Sequence, residues 1–281
     1  MKLLLPTSLE EACGALKDHP QAIPMAGATD LMVHWPSRFE AHEGTYLDLS
    51  AVEELRQHRF TDDALVLGGS TTYWQVMRDP RASREFPLLL EAARQVGAVQ
   101  IQTRGTWAGN IVNASPAADG VPVLMAYDAE IELVSHRGEE TVPLSEFYLG
   151  YKKMRRRPDQ LIRAIRLPRR SYEVEIFEKV GSRQAQAITK VGVAVTHSEA
   201  GWRVVANSVA ASVCRCPALE ALLGHDLPVT TPDHLLPAIE RDVSPIDDIR
   251  STAEYRRKVL ARVLFWALKE GRGRNRERAR R

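Results

Sequence analysis

The residues best placed to do chemistry in this 281-residue chain are two runs of small side chains, not a nucleophile with its base. The first is Met25-Ala26-Gly27-Ala28-Thr29-Asp30-Leu31. A strand that ends in glycine and other small residues exposes consecutive backbone N–H groups, and these form a concave anion site suited to a pyrophosphate. Glycine permits the tight turn, and small neighbours allow close approach. The dinucleotide fingerprint G-x-G-x-x-G is absent. Gly and Asp also favour turns for local reasons, so in isolation the segment reads as an ordinary turn. The second run is Thr106-Trp107-Ala108-Gly109-Asn110-Ile111-Val112-Asn113-Ala114-Ser115-Pro116-Ala117-Ala118-Asp119. Its Asn, Ser and Thr side chains donate and accept hydrogen bonds at short reach, as a ligand cradle requires. A long surface loop held by Asx and Ser/Thr turns has the same composition, which leaves both readings open.

Other chemistry is poorly supported. The cysteines are Cys13, Cys214 and Cys216. Cys214-Arg215-Cys216 supplies two ligands at most, too few for a tetrahedral metal site, and an iron–sulfur cluster needs about four thiolates. The histidines at 19, 34, 42, 58, 136, 197, 225 and 234 show no metal-binding spacing. No Ser/His/Asp or Cys/His pairing stands out. The net charge is only +2, so no overall field favours nucleic acid or an anionic membrane. Basic residues do cluster at Lys152–Arg157 and in an arginine-rich stretch from Gly271. The first cluster could steer an acidic partner or form a solvated loop. No apolar run approaches the roughly 18–20 residues of a membrane span. The leucines before Pro6 are too few for a signal-peptide core, and sparse cysteines fit a reducing compartment; both make the chain cytoplasmic by expectation.

The elements that would position the two runs follow from caps and periodicity. Capping residues at Thr7-Ser8 start a helix running to about Lys17. Gln21–Met25 reads as a buried strand, and Leu31–Trp35 as a second helix interrupted by Pro36. Strands are expected at Thr45–Leu49, Ala64–Leu67, Ala129–Val134 and Leu161–Leu167, the last ending at Pro168. Helices are expected at Thr71–Arg78, Pro87–Val96 and Val121–Tyr127. Gly105–Gly120 reads as an ordered loop. A domain boundary is placed in Pro168–Glu173. Beyond it come strands Val174–Val180, Val191–His197 and Trp202–Ala211, then helices Pro217–Leu223 and Thr252–Leu268. The order of elements gives an α+β protein. Residues 271–281 read as a basic disordered tail.

With these residues in place, the chain resembles the FAD-binding (medium, flavoprotein) subunit of the xanthine dehydrogenase / carbon monoxide dehydrogenase molybdenum hydroxylase family. The first run is similar to that family's A-G-G-T-D-L turn, and the second to its T-I-G-G-N-I-x-N-A-S-P-x-x-D stretch. Phe147-Tyr148-Leu149-Gly150-Tyr151-Lys152-Lys153 with Pro158-Asp159-Gln160-Leu161-Ile162 resembles a later block. Phe177-Glu178-Lys179-Val180-Gly181-Ser182-Arg183 with Ile188-Thr189-Lys190-Val191 matches the start of the family's C-terminal domain. Arg215, Glu220–Gly224 and Tyr255-Arg256-Arg257 continue the likeness.

The resemblance implies a two-lobed FAD-binding domain of the vanillyl-alcohol-oxidase/PCMH-like kind over 1–170, with lobes of about 1–55 and 56–170. A smaller α+β domain over 171–270 would close over the flavin. FAD would be held by Met25, Ala26, Gly27, Ala28, Thr29, Asp30 and Leu31, and by Thr106, Ala108, Gly109, Asn110, Asn113, Ser115, Asp119, Leu161 and Lys179. Among these, Asp119 would accept hydrogen bonds from the sugar-like part, and Lys179 would stand near the ring. The role implied is electron transfer. A small [2Fe–2S] subunit would deliver electrons, a large subunit would carry the molybdenum cofactor, and NAD or a quinone would accept. No nucleic acid or membrane partner is implied. A self-contained FAD oxidase of the same fold and a FAD-less assembly subunit are the alternatives. Ala28 and Trp107-Ala108 depart from the family's Gly and Ile-Gly. An added methyl at a positive-φ position costs about 1 kcal/mol, and a tryptophan there could stack on or crowd the cofactor.

Overall fold

A computed structural model of the chain describes residues 2–34, 44–225 and 229–278. The first sheet is parallel. Strands β1 (Lys2–Leu4) and β2 (Ile23–Met25) flank β3 (Thr45–Asp48). Helix α1 (Leu9–Asp18) connects β1 to β2. Its Ser8 N-cap accepts from the Glu11 amide, while the Glu11 carboxylate accepts from the Thr7 amide and hydroxyl. Its apolar face (Ala12, Cys13, Leu16) packs on Leu47, Val52 and Leu55. Strand β2 forms as expected but lies at the sheet edge, with Ile23 exposed, so it is not buried. Helix α2 (Leu31–His34) follows. The expected break at Pro36 lies outside the described residues.

The second sheet is antiparallel. It contains β4 (His58–Phe60), β5 (Ala64–Gly68), β6 (Glu130–Ser135), β7 (Gly138–Pro143) and β10 (Leu161–Pro168), in the order β4-β5-β10-β6-β7. Strands β8 (Tyr148–Gly150) and β9 (Lys153–Met154) make a small separate hairpin. Helices α3 (Tyr73–Met77), α4 (Pro80–Glu85), α5 (Pro87–Gln95), α6 (Val99–Gln102), α7 (Trp107–Asn113) and α8 (Gly120–Ala126) fill the excursion between β5 and β6. Helix α7 overturns the expectation of a loop at Gly105–Gly120. Thr106 caps it by accepting from the Gly109 amide at 2.9 Å. Trp107, Ala108 and Ile111 form a buried face, so burial outweighs the low helix propensity of the Gly and Asn residues.

The third sheet, β11 (Val174–Val180), β12 (Val191–Ser198), β13 (Gly201–Asn207) and β14 (Cys214–Arg215), is antiparallel. Strand β13 stops short of the expected Ala211 because Ser208 takes φ +63° and sends its amide to Pro116 O. One face of this sheet packs on α9 (Pro217–Gly224), α10 (Leu236–Asp242) and α11 (Ala253–Arg278). Helix α11 continues to Arg278, through most of the stretch expected to be a disordered tail.

The other face of the third sheet joins the main core. Phe177, Ala194, Val205 and Val213 are buried with Leu88, Leu89 and Tyr127. Polar clamps reinforce the joint. Asn207 Nδ2 donates to Ala118 O, and Thr196 Oγ1 to Ala126 O, each at 2.7 Å. Lys179 Nζ meets Asp119 Oδ2 at 2.7 Å and also donates to Gln95 O, and Thr189 donates to Asp119 Oδ1. Burial pushes the Asp119 carboxyl above the ordinary carboxylate range, against the pull of Lys179 and Thr189.

Removing Lys179 alone leaves a buried carboxylate without its cation, which costs about 3–5 kcal/mol. Lys179→Met therefore loses about that much in urea denaturation at pH 7. The Asp119 carboxyl of the variant is raised further in the folded state. Its protonation adds stability at low pH, and that gain disappears as pH rises through the elevated folded pKa. A pH-independent loss would contradict this assignment.

Candidate functional site

The first run leaves β2 at the carboxyl end of a parallel sheet, where ligands bind in open α/β layers. It turns at Ala26–Asp30 and enters α2. Gly27 lies against the backbone that precedes α7, and a Cβ built there would stand 1.9 Å from Arg104 O. Only glycine fits. Ala28 has φ +58°, the conformation for which an alanine costs about 1 kcal/mol. The second run carries the same feature, because Ala114 caps α7 at φ +48°. Asn113 Nδ2 donates to Asp30 Oδ1 at 3.0 Å, so the two runs are also joined by side chains. Lys152 Nζ donates to Asn113 Oδ1 at 2.8 Å.

Between the runs lies a cleft of ≈ 520 Å³, the size of sites that hold cofactors. Met25, Ala26, Gly27, Ala28, Thr29, Asp30 and Leu31 line one side, and Thr106, Gly109, Asn110 and Asn113 the other. The remaining expected site residues do not line it. Ala108 is buried in the α7 face. Ser115 caps the following turn through the Ala117 amide. Leu161 is packed with Leu16 and Leu47 in the core beneath the first sheet. Asp119 and Lys179 sit behind the wall: Asp119 adjoins Gly120, which packs on the Tyr73 hydroxyl and Asn110, and Lys179 bonds the carbonyl beside Val96. Among the described residues, none beyond Arg156 lines the cleft. The C-terminal sheet meets the wall behind the cleft through the Asp119 clamp.

Trp107 neither stacks on nor crowds the cleft. It is fully buried, with its ring centroid 4.6 Å from that of Tyr73. Tyr73 presents itself to the cleft from in front of it. Sequence reasoning missed Tyr73, Val96, Ile101 and Arg156 as lining residues. Arg156 was visible only as part of the basic cluster. That cluster is divided: Lys152, Lys153 and Arg155 are exposed, while Arg156 and Arg157 are half-buried. Arg155 pairs with Glu146 and Arg157 with Asp159, Lys152 binds Asn113, and Arg156 turns to the cleft.

The unsatisfied groups around the cleft are those a dinucleotide would use. Among the described residues, the amides of Gly27, Ala28 and Thr29 have no intramolecular acceptor. The Tyr73 and Ser70 hydroxyls are buried without a partner. Tyr73 lines the main cleft, and Ser70 lines a second hollow of ≈ 320 Å³ that shares Ala26, Gly27 and Thr106 with it. Consecutive free amides suit a pyrophosphate, and orphaned hydroxyls suit a ligand that hydrogen-bonds. Burial, followed by the nearby Asp119, pushes the Tyr73 phenol upward, so it stays a neutral donor.

Residues 1–170, well over half the chain, match the FAD binding domain in molybdopterin dehydrogenase. The chain belongs to this family. Residues 177–270 match the CO dehydrogenase flavoprotein C-terminal domain. The nicotinate dehydrogenase FAD-subunit of Eubacterium barkeri is 30% identical, over 92% of this chain and 91% of its own length. Caffeine dehydrogenase subunit beta of a Pseudomonas species is 31% identical, over 94% and 92%. Among solved structures, a chain of the Hydrogenophaga pseudoflava carbon monoxide dehydrogenase that lacks the Mo-pyranopterin moiety superposes with a TM-score of 0.89. It is 26% identical, and the match covers 98% of both chains. The family is one of oxidoreductase subunits. Among the described residues, no helix is long and apolar enough to cross a membrane.

Two substitutions test the turn. Gly27→Ala forces the two runs apart and abolishes FAD binding in fluorescence titration. Ala28→Gly relieves the left-handed alanine and raises unfolding stability by about 1 kcal/mol. Unchanged FAD affinity in the first variant, or a loss of stability in the second, would contradict this geometry.

Proposed function

We propose that this chain is the FAD-carrying electron-transfer subunit of a heteromeric molybdenum hydroxylase. It takes electrons from a small [2Fe–2S] subunit and passes them to an external acceptor, with NAD and quinones the first to test. A large partner subunit carries the molybdenum cofactor and binds the substrate, so this chain needs no substrate pocket of its own. The observation that carries the reading is the joining of both runs around one cleft whose free amides and hydroxyls match a dinucleotide. Relatives named as FAD and beta subunits of dehydrogenases support it.

FAD supplies both one- and two-electron chemistry, and the protein's part is to hold and tune it. The amides of Gly27, Ala28 and Thr29 hold the pyrophosphate. Thr106, Asn110 and Asn113 form the wall against which the remainder would lie, and Tyr73 would donate its hydroxyl. Asp119 and Lys179 act from behind the wall, where the pair fixes the position of Gly120 and the Asn110 side chain that accepts from its amide. Among the described residues, no cluster of His, Cys, Asp and Glu is arranged to hold a metal, and the proposed clusters belong to partner chains.

The test is to purify the full chain alone and then with candidate iron–sulfur and molybdenum partners. The account predicts a yellow protein with one FAD per chain, whose flavin is reduced by substrate only when both partners are present. A colourless protein that cannot be reconstituted would refute it. Substrate turnover by the chain alone would establish the self-contained oxidase instead.

A further inference from the structure

Arg156 is the single cation among the described residues that line the cleft, and the only other charged lining residue described is Asp30. Asp30 is engaged with the Asn113 amide. Among the described residues, no carboxylate lies within 4 Å of the Arg156 guanidinium, whereas its neighbours Arg155 and Arg157 are both paired. The nearest acid, Asp159, is taken up by Arg157 at 3.1 Å and Arg137 at 3.4 Å. Arg156 Nη1 donates to the neutral Gln160 carbonyl, and its Nε is buried with no partner at all. A half-buried guanidinium cannot shed its proton. An uncompensated charge of this kind is costly unless an anion arrives. Burial already acts to lower its pKa, with only Asp159 opposing.

We infer that Arg156 is the anion-binding cation of the cleft and receives the pyrophosphate of the dinucleotide, beside the amides of the Gly27 turn. The inference rests on reading the cleft as the FAD site. It adds to that reading a side chain that recognises charge, where the two runs offer only neutral donors and one acid. A guanidinium matches phosphate oxygens with a planar fork, and in a site of low dielectric such bonds are strong. The apoprotein holds an unpaired charge, so the same residue weakens the fold until ligand binds. This pairing of effects separates Arg156 from a residue that merely supports the structure.

The full chain, freed of flavin, is compared with Arg156→Met and Arg156→Lys. Arg156→Met is expected to bind FAD and ADP about 10- to 100-fold more weakly, while riboflavin, which has no phosphate, binds both proteins equally. Its apoprotein melts at or above the wild-type temperature. Inorganic pyrophosphate raises the melting temperature of the wild type and leaves that of Arg156→Met unchanged. Arg156→Lys, which keeps the charge without the fork, falls between the two. Wild-type affinity for FAD and ADP in Arg156→Met would overturn the inference. So would a lower apoprotein melting temperature, or equal stabilisation of both proteins by pyrophosphate. If the wild type binds no flavin, the functional reading fails instead, and the pyrophosphate arm still decides whether Arg156 is an anion site.

Discussion

Gly27 lies so close to the chain before α7 that a single methyl group would strike the Arg104 carbonyl oxygen, and the site depends on this contact. It brings the end of a parallel strand against the start of a helix from a different layer. The turn that follows passes through a left-handed residue, and its residues line the cleft. The helix on the other side presents Thr106, Gly109, Asn110 and Asn113 along one edge. The Asp30–Asn113 hydrogen bond closes the far end of the same junction. Neither run makes a cradle alone. The cradle is the space that remains when two backbones meet with no side chain between them.

That arrangement is not at its own energy minimum. Ala28 and Ala114 both occupy the left-handed region. Among the described residues, the Tyr73 and Ser70 hydroxyls are buried without partners and the Arg156 guanidinium has no carboxylate beside it. Each feature costs on the order of 1 kcal/mol or more, and all lie within the two runs or beside them. Similar features occur elsewhere in the chain, at Ser208 and at the Tyr172 hydroxyl for example, but those beside the cleft adjoin space that a ligand can fill. The surrounding structure holds the strained parts in place. The C-terminal sheet grips the segment after α7 through Asn207, Ser208, Thr196 and Lys179. It therefore shapes the wall of the cleft without contributing to its surface.

Much of this was legible in the sequence. Strands β3, β5, β6, β10, β11 and β12 declare themselves as apolar or alternating runs, and α1 and α5 by their caps and periodicity. The two site-forming runs stand out by composition, and the family resemblance links them. The cost of Ala28 was foreseeable because a motif position that calls for glycine implies a positive φ. Other features depend on contacts distant in sequence. Helix α7 looks like a loop until Trp107 and Ile111 are seen to be buried. Trp107 reads as a cofactor contact until Tyr73 covers it. Arg156 is one of five basic residues in a short run, and nothing local marks it as the one that lines the cleft. Asp119 and Lys179 were expected in the cleft, but their mutual attraction and the Thr189 hydroxyl hold them behind its wall.

The central claim is that the Gly27 turn and the α7 segment form one FAD site and respond to the cofactor together. Hydrogen exchange of the backbone amides in residues 26–31 and 106–114 of the full chain, with and without FAD, measures this directly. The account predicts that both segments gain protection in parallel as FAD is added, with the same concentration dependence. The strands of the C-terminal sheet should change little. Protection of only one segment, or of neither, would contradict it.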